Sequence, residues 1–219
     1  MSDHRHRFLQ LALTADALRF GQFTLKSGRL SPYFFNAGRF DSGASMVQLA
    51  LCYADAVDAA GLRYDVVFGP AYKGIPLATA MACELAQRGR DVPLSFNRKE
   101  VKDHGEGGRL IGADMTGKRV LIVDDVITAG TAIREALTLI RDAGGIPSAI
   151  VVALDRQEIA SDTDPRSAAQ AVAEAAGIPV IAVATMDDLL DFASGNPELV
   201  GYRQPLEDYR SRYGSRTTR

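Results

Sequence analysis

The strongest constraint on the fold is an alternation repeated along the middle of the chain. Short apolar runs at residues 65–68, 92–96, 119–123, 149–154 and 180–184 each close on polar or Gly-rich residues, and an Ala/Leu-periodic stretch follows. The runs are apolar at consecutive positions, as in Val120-Leu121-Ile122-Val123. Strands of that kind are covered on both faces, as in a parallel sheet with helices on either side. The stretches 75–88 and 131–143 are helical in composition and stop at Gly89 and Gly144, where a left-handed terminal residue is needed. The pattern predicts an α/β fold with a mostly parallel central sheet flanked by helices, over about residues 61–185. At 219 residues, 47% of them apolar, the chain suits one such domain. Its first 60 or so residues would add helices at 4–18 and 44–60, and a small hood from the Gly-, Pro- and aromatic-rich stretch 20–40. Residues 186–219 would add terminal helices, 186–192 and 205–213, and a frayed tail at 215–219, and the arginines near the C-terminus, Arg203, Arg210, Arg212, Arg216 and Arg219, read as solubilising.

Charge narrows the function. Lys and Arg total 25 against 27 Asp and Glu, a net charge of −2, so no overall field draws the chain to nucleic acid or anionic lipid. Any polyanion must be met by a local cluster. Cys52 and Cys83 stand in apolar helical stretches without metal-ligand spacing and read as buried thiols. The first residues lack an apolar signal region, and no run approaches the roughly 18 apolar residues of a membrane span, so a cytoplasmic, reducing compartment is expected.

Most of the chemistry is written in residues 120–132, VLIVDDVITAGTA, where a buried strand ends in Asp124 and Asp125 and turns through small residues into a helix. Ligands collect at such strand ends, and amides at a helix N-terminus favour phosphate. Thr128 and Thr131 offer hydroxyls, while Ala129 and Gly130 let backbone amides approach closely. Two carboxylates beside an anion seat would repel a bare phosphate. A phosphorylated ribose resolves the conflict: its hydroxyls donate to the acids, its phosphate meets the amides, and Mg²⁺ is shared nearby. Neither a Gly-x-x-x-x-Gly-Lys-Ser/Thr loop nor a Gly-x-Gly-x-x-Gly after a strand is present, which weakens triphosphate and dinucleotide readings.

Further segments frame this seat. FGPAYKGIP, residues 68–76, is again strand to loop to helix, with Lys73 supplying charge and Gly74 room. FNRKEVKDHGEGG, residues 96–108, carries Arg98, Lys99, Lys102 and His104 among glycines and reads as a mobile lid of about a dozen residues. KSGRLSPYFFN, residues 26–36, sets Lys26 ahead of Phe34 and Phe35, against whose backbone a planar heterocycle could lie. Arg156, in LDRQE, closes a strand and has the planar fork that holds a carboxylate.

Together these segments resemble the type I phosphoribosyltransferases, and among them the branch that acts on orotate. VLIVDDVITAGTA is similar to the superfamily's phosphoribosyl-diphosphate signature, and the other four segments are similar to the orotate branch's own, over about residues 20–213. The resemblance implies Mg²⁺-dependent transfer of a phosphoribosyl group to orotate in pyrimidine biosynthesis; an enzyme for another base, or a non-catalytic sensor of phosphoribosyl diphosphate, stays open. It further implies that Lys26, Tyr72, Lys73, Arg98, Lys99, Lys102, His104 and the loop Asp124, Asp125, Val126, Ile127, Thr128, Ala129, Gly130, Thr131 and Ala132 bind phosphoribosyl diphosphate. Phe34, Phe35, Thr128 and Arg156 would hold orotate, and Lys102, Asp124 and Asp125 would carry catalysis. Mg²⁺ would be held mainly by substrate and water near the two acids. The enzyme would be a homodimer in which Lys99 and Lys102 reach the partner's site, and the Ala71–Tyr72 peptide would be cis.

Overall fold

The computed structural model describes residues 4–25, 27–102, 108–161 and 164–215. Its centre is a six-stranded sheet in the order β10-β7-β6-β3-β4-β5. These strands are β3 (Val66–Gly69), β4 (Leu94–Lys102), β5 (Gly108–Gly112), β6 (Arg119–Asp124), β7 (Ile146–Asp155) and β10 (Val180–Thr185). Neighbours pair in parallel except β5, which runs antiparallel to β4. Along β6 the side chains alternate between two buried layers. Leu121 and Val123 enter a core shared with α1 (His4–Thr14), α2 (Gly43–Ala59) and α3 (Gly74–Gln87), whereas Val120 and Ile122 face α4 (Thr131–Asp142) and α5 (Ala168–Ala176). Burial on both faces is why β6 is apolar at every position from Val120 to Val123.

The N-terminal helices belong to this core: Phe8, Leu9, Leu49 and Tyr53 are buried with sheet residues. What remains of the expected hood is a hairpin of β1 (Leu18–Thr24) and β2 (Leu30–Phe35). The first helix stops at Thr14, short of the expected 18, because Leu18 already pairs with Phe35. A small hairpin of β8 (Ile159–Ser161) and β9 (Asp164–Ser167) precedes α5, and α6 (Met186–Gly195) and α7 (Arg203–Tyr213) close the chain. No helix among the described residues is long and apolar enough to cross a membrane.

Three expectations need correction. Cys52 is buried, but Cys83 is exposed, because α3 turns that position away from the core. The supposed lid loop is mostly strand: β4 leaves β3 after Phe96 and runs on to Lys102, paired only with β5, as a two-stranded arm. Within this segment, residues 103–107, with His104, lie outside the described residues. Arg210 is not merely solubilising: its guanidinium pairs with Asp187 at 3.0 Å and donates to the carbonyls of Gln157 and Ser215, tying α7 to the end of β7.

Candidate active site

The strand order reverses between β3 and β6. The chain leaves β3 through α3 towards β4 and leaves β6 through α4 towards β7, so the loops after β3 and β6 flank one crevice at the carboxyl edge. Glycines let these loops approach. A Cβ on Gly74 would lie 2.7 Å from the carbonyl oxygen of Val123, and one on Gly69 would clash with the carbonyl oxygen of Gly74. At the head of α4, Gly130 sits at φ +70°, where a side chain is disfavoured and its Cβ would press on Val172. The helices α2, α5 and α6 close their first turns with side-chain capping boxes, but α3 and α4 start without a side-chain cap. At the crevice α4 therefore leaves its first-turn amides for an anion, whereas in α3 the Ile75 amide already donates to the Tyr72 carbonyl at 3.3 Å and Pro76 has no amide hydrogen.

Asp124 and Asp125 are both buried at the end of β6. Asp124 Oδ1 accepts from the Asp125 amide at 2.9 Å, and Asp125 Oδ1 accepts from the Val126 amide at 2.9 Å. Burial, and then the charge of Asp125, push the Asp124 carboxyl up to about 7. Across the crevice, Lys73 Nζ donates to Asp125 Oδ2 at 2.7 Å. This bond joins the two anion seats read separately from the sequence. Beyond the acids, Val126 packs against the core on one face of the sheet and Ile127 against that on the other, while Thr128, Ala129, Thr131 and Ala132 are exposed. The loop is anchored by its apolar residues and presents its small ones.

The peptide between Ala71 and Tyr72 is cis, as the resemblance implies. The amide of Ala71 donates to Asn97 Oδ1 at 2.9 Å, tying this loop to the start of the β4–β5 arm. Tyr72 is exposed, with the Lys99 ammonium 4.9 Å from its ring centroid. Within this chain Lys99 therefore lies beside Tyr72. Arg98 lies in β4, and Lys102 ends that strand opposite Gly108. Lys26 and His104 lie outside the described residues.

At the far end, Phe34 and Phe35 part to opposite faces of β2. Phe35 packs with Phe8 and Phe40, and Phe34 with Phe23. Phe35 is thus anchored in the core and has its backbone to offer a ligand. Arg156 sits over the ring of Tyr33 in β2, so this hairpin and the end of β7 meet. Its guanidinium is already paired with Glu158 at 2.6 Å. Sequence reasoning missed Glu158, Asn97 and Tyr53, whose hydroxyl donates to the Asp124 carbonyl at 2.8 Å. Glu158 and Asn97 stood inside quoted segments, but nothing in the sequence marked Tyr53 beyond helical periodicity.

Among the described residues, no three His, Cys, Asp or Glu converge as metal ligands. Asp124 and Asp125 offer two carboxylates, one of them paired with Lys73. That donor set fits a hard divalent cation whose other ligands come from substrate oxygens and water.

The family model described as a phosphoribosyl transferase domain matches residues 49–178. The chain is 86% identical over 219 residues to an orotate phosphoribosyltransferase of Stenotrophomonas maltophilia (strain R551-3), covering all of both chains. It is similar to a crystal structure of orotate phosphoribosyltransferase from Francisella tularensis, with 41% identity and a TM-score of 0.85 over 95% of this chain and 99% of that one. It is also similar to the Mycobacterium tuberculosis H37Rv orotate phosphoribosyltransferase in complex with 5-phospho-α-D-ribosyl 1-diphosphate, with 25% identity and a TM-score of 0.62 over 84% of this chain and 98% of that one.

Proposed function

Since the chain belongs to the phosphoribosyltransferase family, and within it to the orotate phosphoribosyltransferases, we propose that the crevice between β3 and β6 is where it works. The reaction moves the phosphoribosyl group of 5-phospho-α-D-ribose 1-diphosphate to N1 of orotate, giving orotidine 5′-phosphate and diphosphate, a step of pyrimidine biosynthesis. The observation that most supports this placement is the 2.7 Å bond from Lys73 to Asp125 across the strand-order reversal. It sets a cation for diphosphate directly against the acids that suit ribose hydroxyls.

In this reading the amides and hydroxyls from Val126 to Ala132 cradle the 5′-phosphate. Tyr72 and Lys73, with Lys26, Arg98, Lys99, Lys102 and His104, bind the diphosphate. Asp124 and Asp125 accept from the ribose hydroxyls. As the bond from C1 to the diphosphate oxygen breaks and the bond to N1 forms, positive charge gathers on the ribose ring, and the two carboxylates face it. Orotate lies against the backbone of Phe34 and Phe35, with Thr128 and Arg156 at its polar edge. A bound divalent cation, Mg²⁺ in our proposal, supplies charge neutralisation for the departing diphosphate. Catalysis by the protein is chiefly positioning and electrostatic stabilisation. We further propose a cytoplasmic homodimer in which the β4–β5 arm carries Lys99 and Lys102 to the partner's site.

Loss of orotate absorbance on adding phosphoribosyl diphosphate and Mg²⁺, with hypoxanthine, adenine and uracil as controls, tests the assignment. Uracil lacks the carboxylate that Arg156 would hold, leaving the Nη1 end of a mostly buried guanidinium unmatched, so orotate is expected to be preferred by about a thousandfold or more. Arg156→Ala should erase most of that preference. Equal use of both bases by the unmodified chain would remove Arg156 from the base site.

A further inference from the structure

Arg156 is held on several sides. The face of its guanidinium lies 4.7 Å from the ring centroid of Tyr33. Along one edge, Nε donates to Glu158 Oε1 at 2.7 Å and Nη2 is 2.6 Å from the same oxygen. The two side chains are only 17% and 15% exposed, so the pair is largely withdrawn from water. Nη2 is also 3.5 Å from Ser31 Oγ and from the Tyr209 hydroxyl. The other oxygen of Glu158 lies 3.5 Å from Arg29 Nη1, which donates to the Ile159 carbonyl at 3.1 Å while its guanidinium stacks 4.8 Å from the Tyr213 ring centroid. One carboxylate thus sits between two arginines. Among the described residues, none of these contacts uses Nη1 of Arg156.

A guanidinium is a planar fork with more than one edge able to receive a carboxylate. We infer that Glu158 is a positioning residue for the carboxylate of orotate: by occupying the Nε edge of Arg156, it turns the Nη1 end toward the base. The inference rests on the assignment of that carboxylate to Arg156. Without Glu158, the arginine would regain its rotamers, and two like charges, Arg29 and Arg156, would lose the anion between them. The backbone supports the same geometry. Gln157 adopts φ +49° with its amide donating to Asp155 Oδ1 at 2.8 Å, and its carbonyl accepts from the Ser215 amide at 2.7 Å. The segment just after α7 thus braces the turn that presents Glu158.

Steady-state kinetics with orotate and phosphoribosyl diphosphate varied separately provide the test. Glu158→Ala is expected to raise the KM for orotate by about tenfold to a hundredfold, the effect of a positioning error of up to an ångström. The KM for phosphoribosyl diphosphate and kcat should change little. Glu158→Gln, which keeps the shape and one acceptor oxygen, should recover most of the loss. A lower orotate KM in Glu158→Ala would overturn the inference, because Glu158 would then be competing with substrate for Arg156. A matching rise in both KM values with a fall in kcat, without rescue by Gln, would also overturn it as a general structural effect. If the alanine variant does not fold, Glu158→Gln must still raise the orotate KM alone, or the inference fails. An unmodified chain that consumes no orotate overturns the underlying assignment, whereas an active unmodified chain with an unaffected Glu158→Ala overturns this inference only.

Discussion

Replacing Asp124 and Asp125 together by asparagine is expected to lower kcat by about a thousandfold or more while the chain stays folded. Both side chains are buried beside the crevice, and both carboxyl groups would be removed from the place where positive charge develops on the ribose. Asparagine retains an oxygen to accept from the Asp125 amide that Asp124 Oδ1 now holds, so the turn after β6 keeps that bond. Stability separates a chemical defect from a folding defect. The Asp124 carboxyl is pushed up to about 7 by burial and by Asp125, against about 3.9 in an unfolded chain. Between those values the unfolded chain binds fewer protons than the folded one, so this group makes stability fall as pH rises from about 4 to about 7. Above that window the penalty is complete. The single variant Asp124→Asn should therefore melt higher than the unmodified chain at pH 8, with the difference vanishing near pH 4. Melting curves across pH check the sign, and a lower melting temperature for Asp124→Asn at pH 8 would contradict the assigned burial penalty. Retained turnover in the double variant would contradict the site itself.

Lys102→Ala is expected to lower kcat by about a hundredfold to a thousandfold, the range for losing one well-aimed donor from a transition state, with the melting temperature unchanged. Lys102 ends β4 opposite Gly108, where the strand has left β3 and is paired only with β5. A cation on such an arm suits delivery to a departing diphosphate in a neighbouring site. Subunit mixing tests the delivery: Lys102→Ala chains combined with Asp124→Asn, Asp125→Asn chains should regain part of the activity, since a mixed dimer would contain one site with both groups intact. Undiminished turnover in Lys102→Ala removes the residue from catalysis. Inactive mixtures, with dimers demonstrated, would confine Lys102 to the site of its own chain.

Legibility in the sequence followed the range of the interactions. The strand Val120 to Asp124 could be read directly, because burial on both faces demands an unbroken apolar run and its polar end marks the sheet's edge. The helix after it was equally plain, since Gly130 and the stop at Gly144 are local conformational requirements. Cys83 misled because an apolar stretch does not reveal which way a helix will turn each residue, and α3 exposes that thiol. The residues from Asn97 to Lys102 read as loop because polar residues resemble a loop whether or not another strand pairs with them.

Local sequence therefore determined the succession of strands and helices, the acidic end of β6 and the small-residue turn beyond it, because backbone preference and face burial act over neighbouring positions. Tertiary structure decided which charges meet. Lys73 reaches Asp125 across 52 positions of chain, and Arg210 binds Asp187 across 23. The strand order places the loops after β3 and β6 side by side, and α7 packs back against the end of β7. Those pairings depend on distances in space that chain separation does not encode.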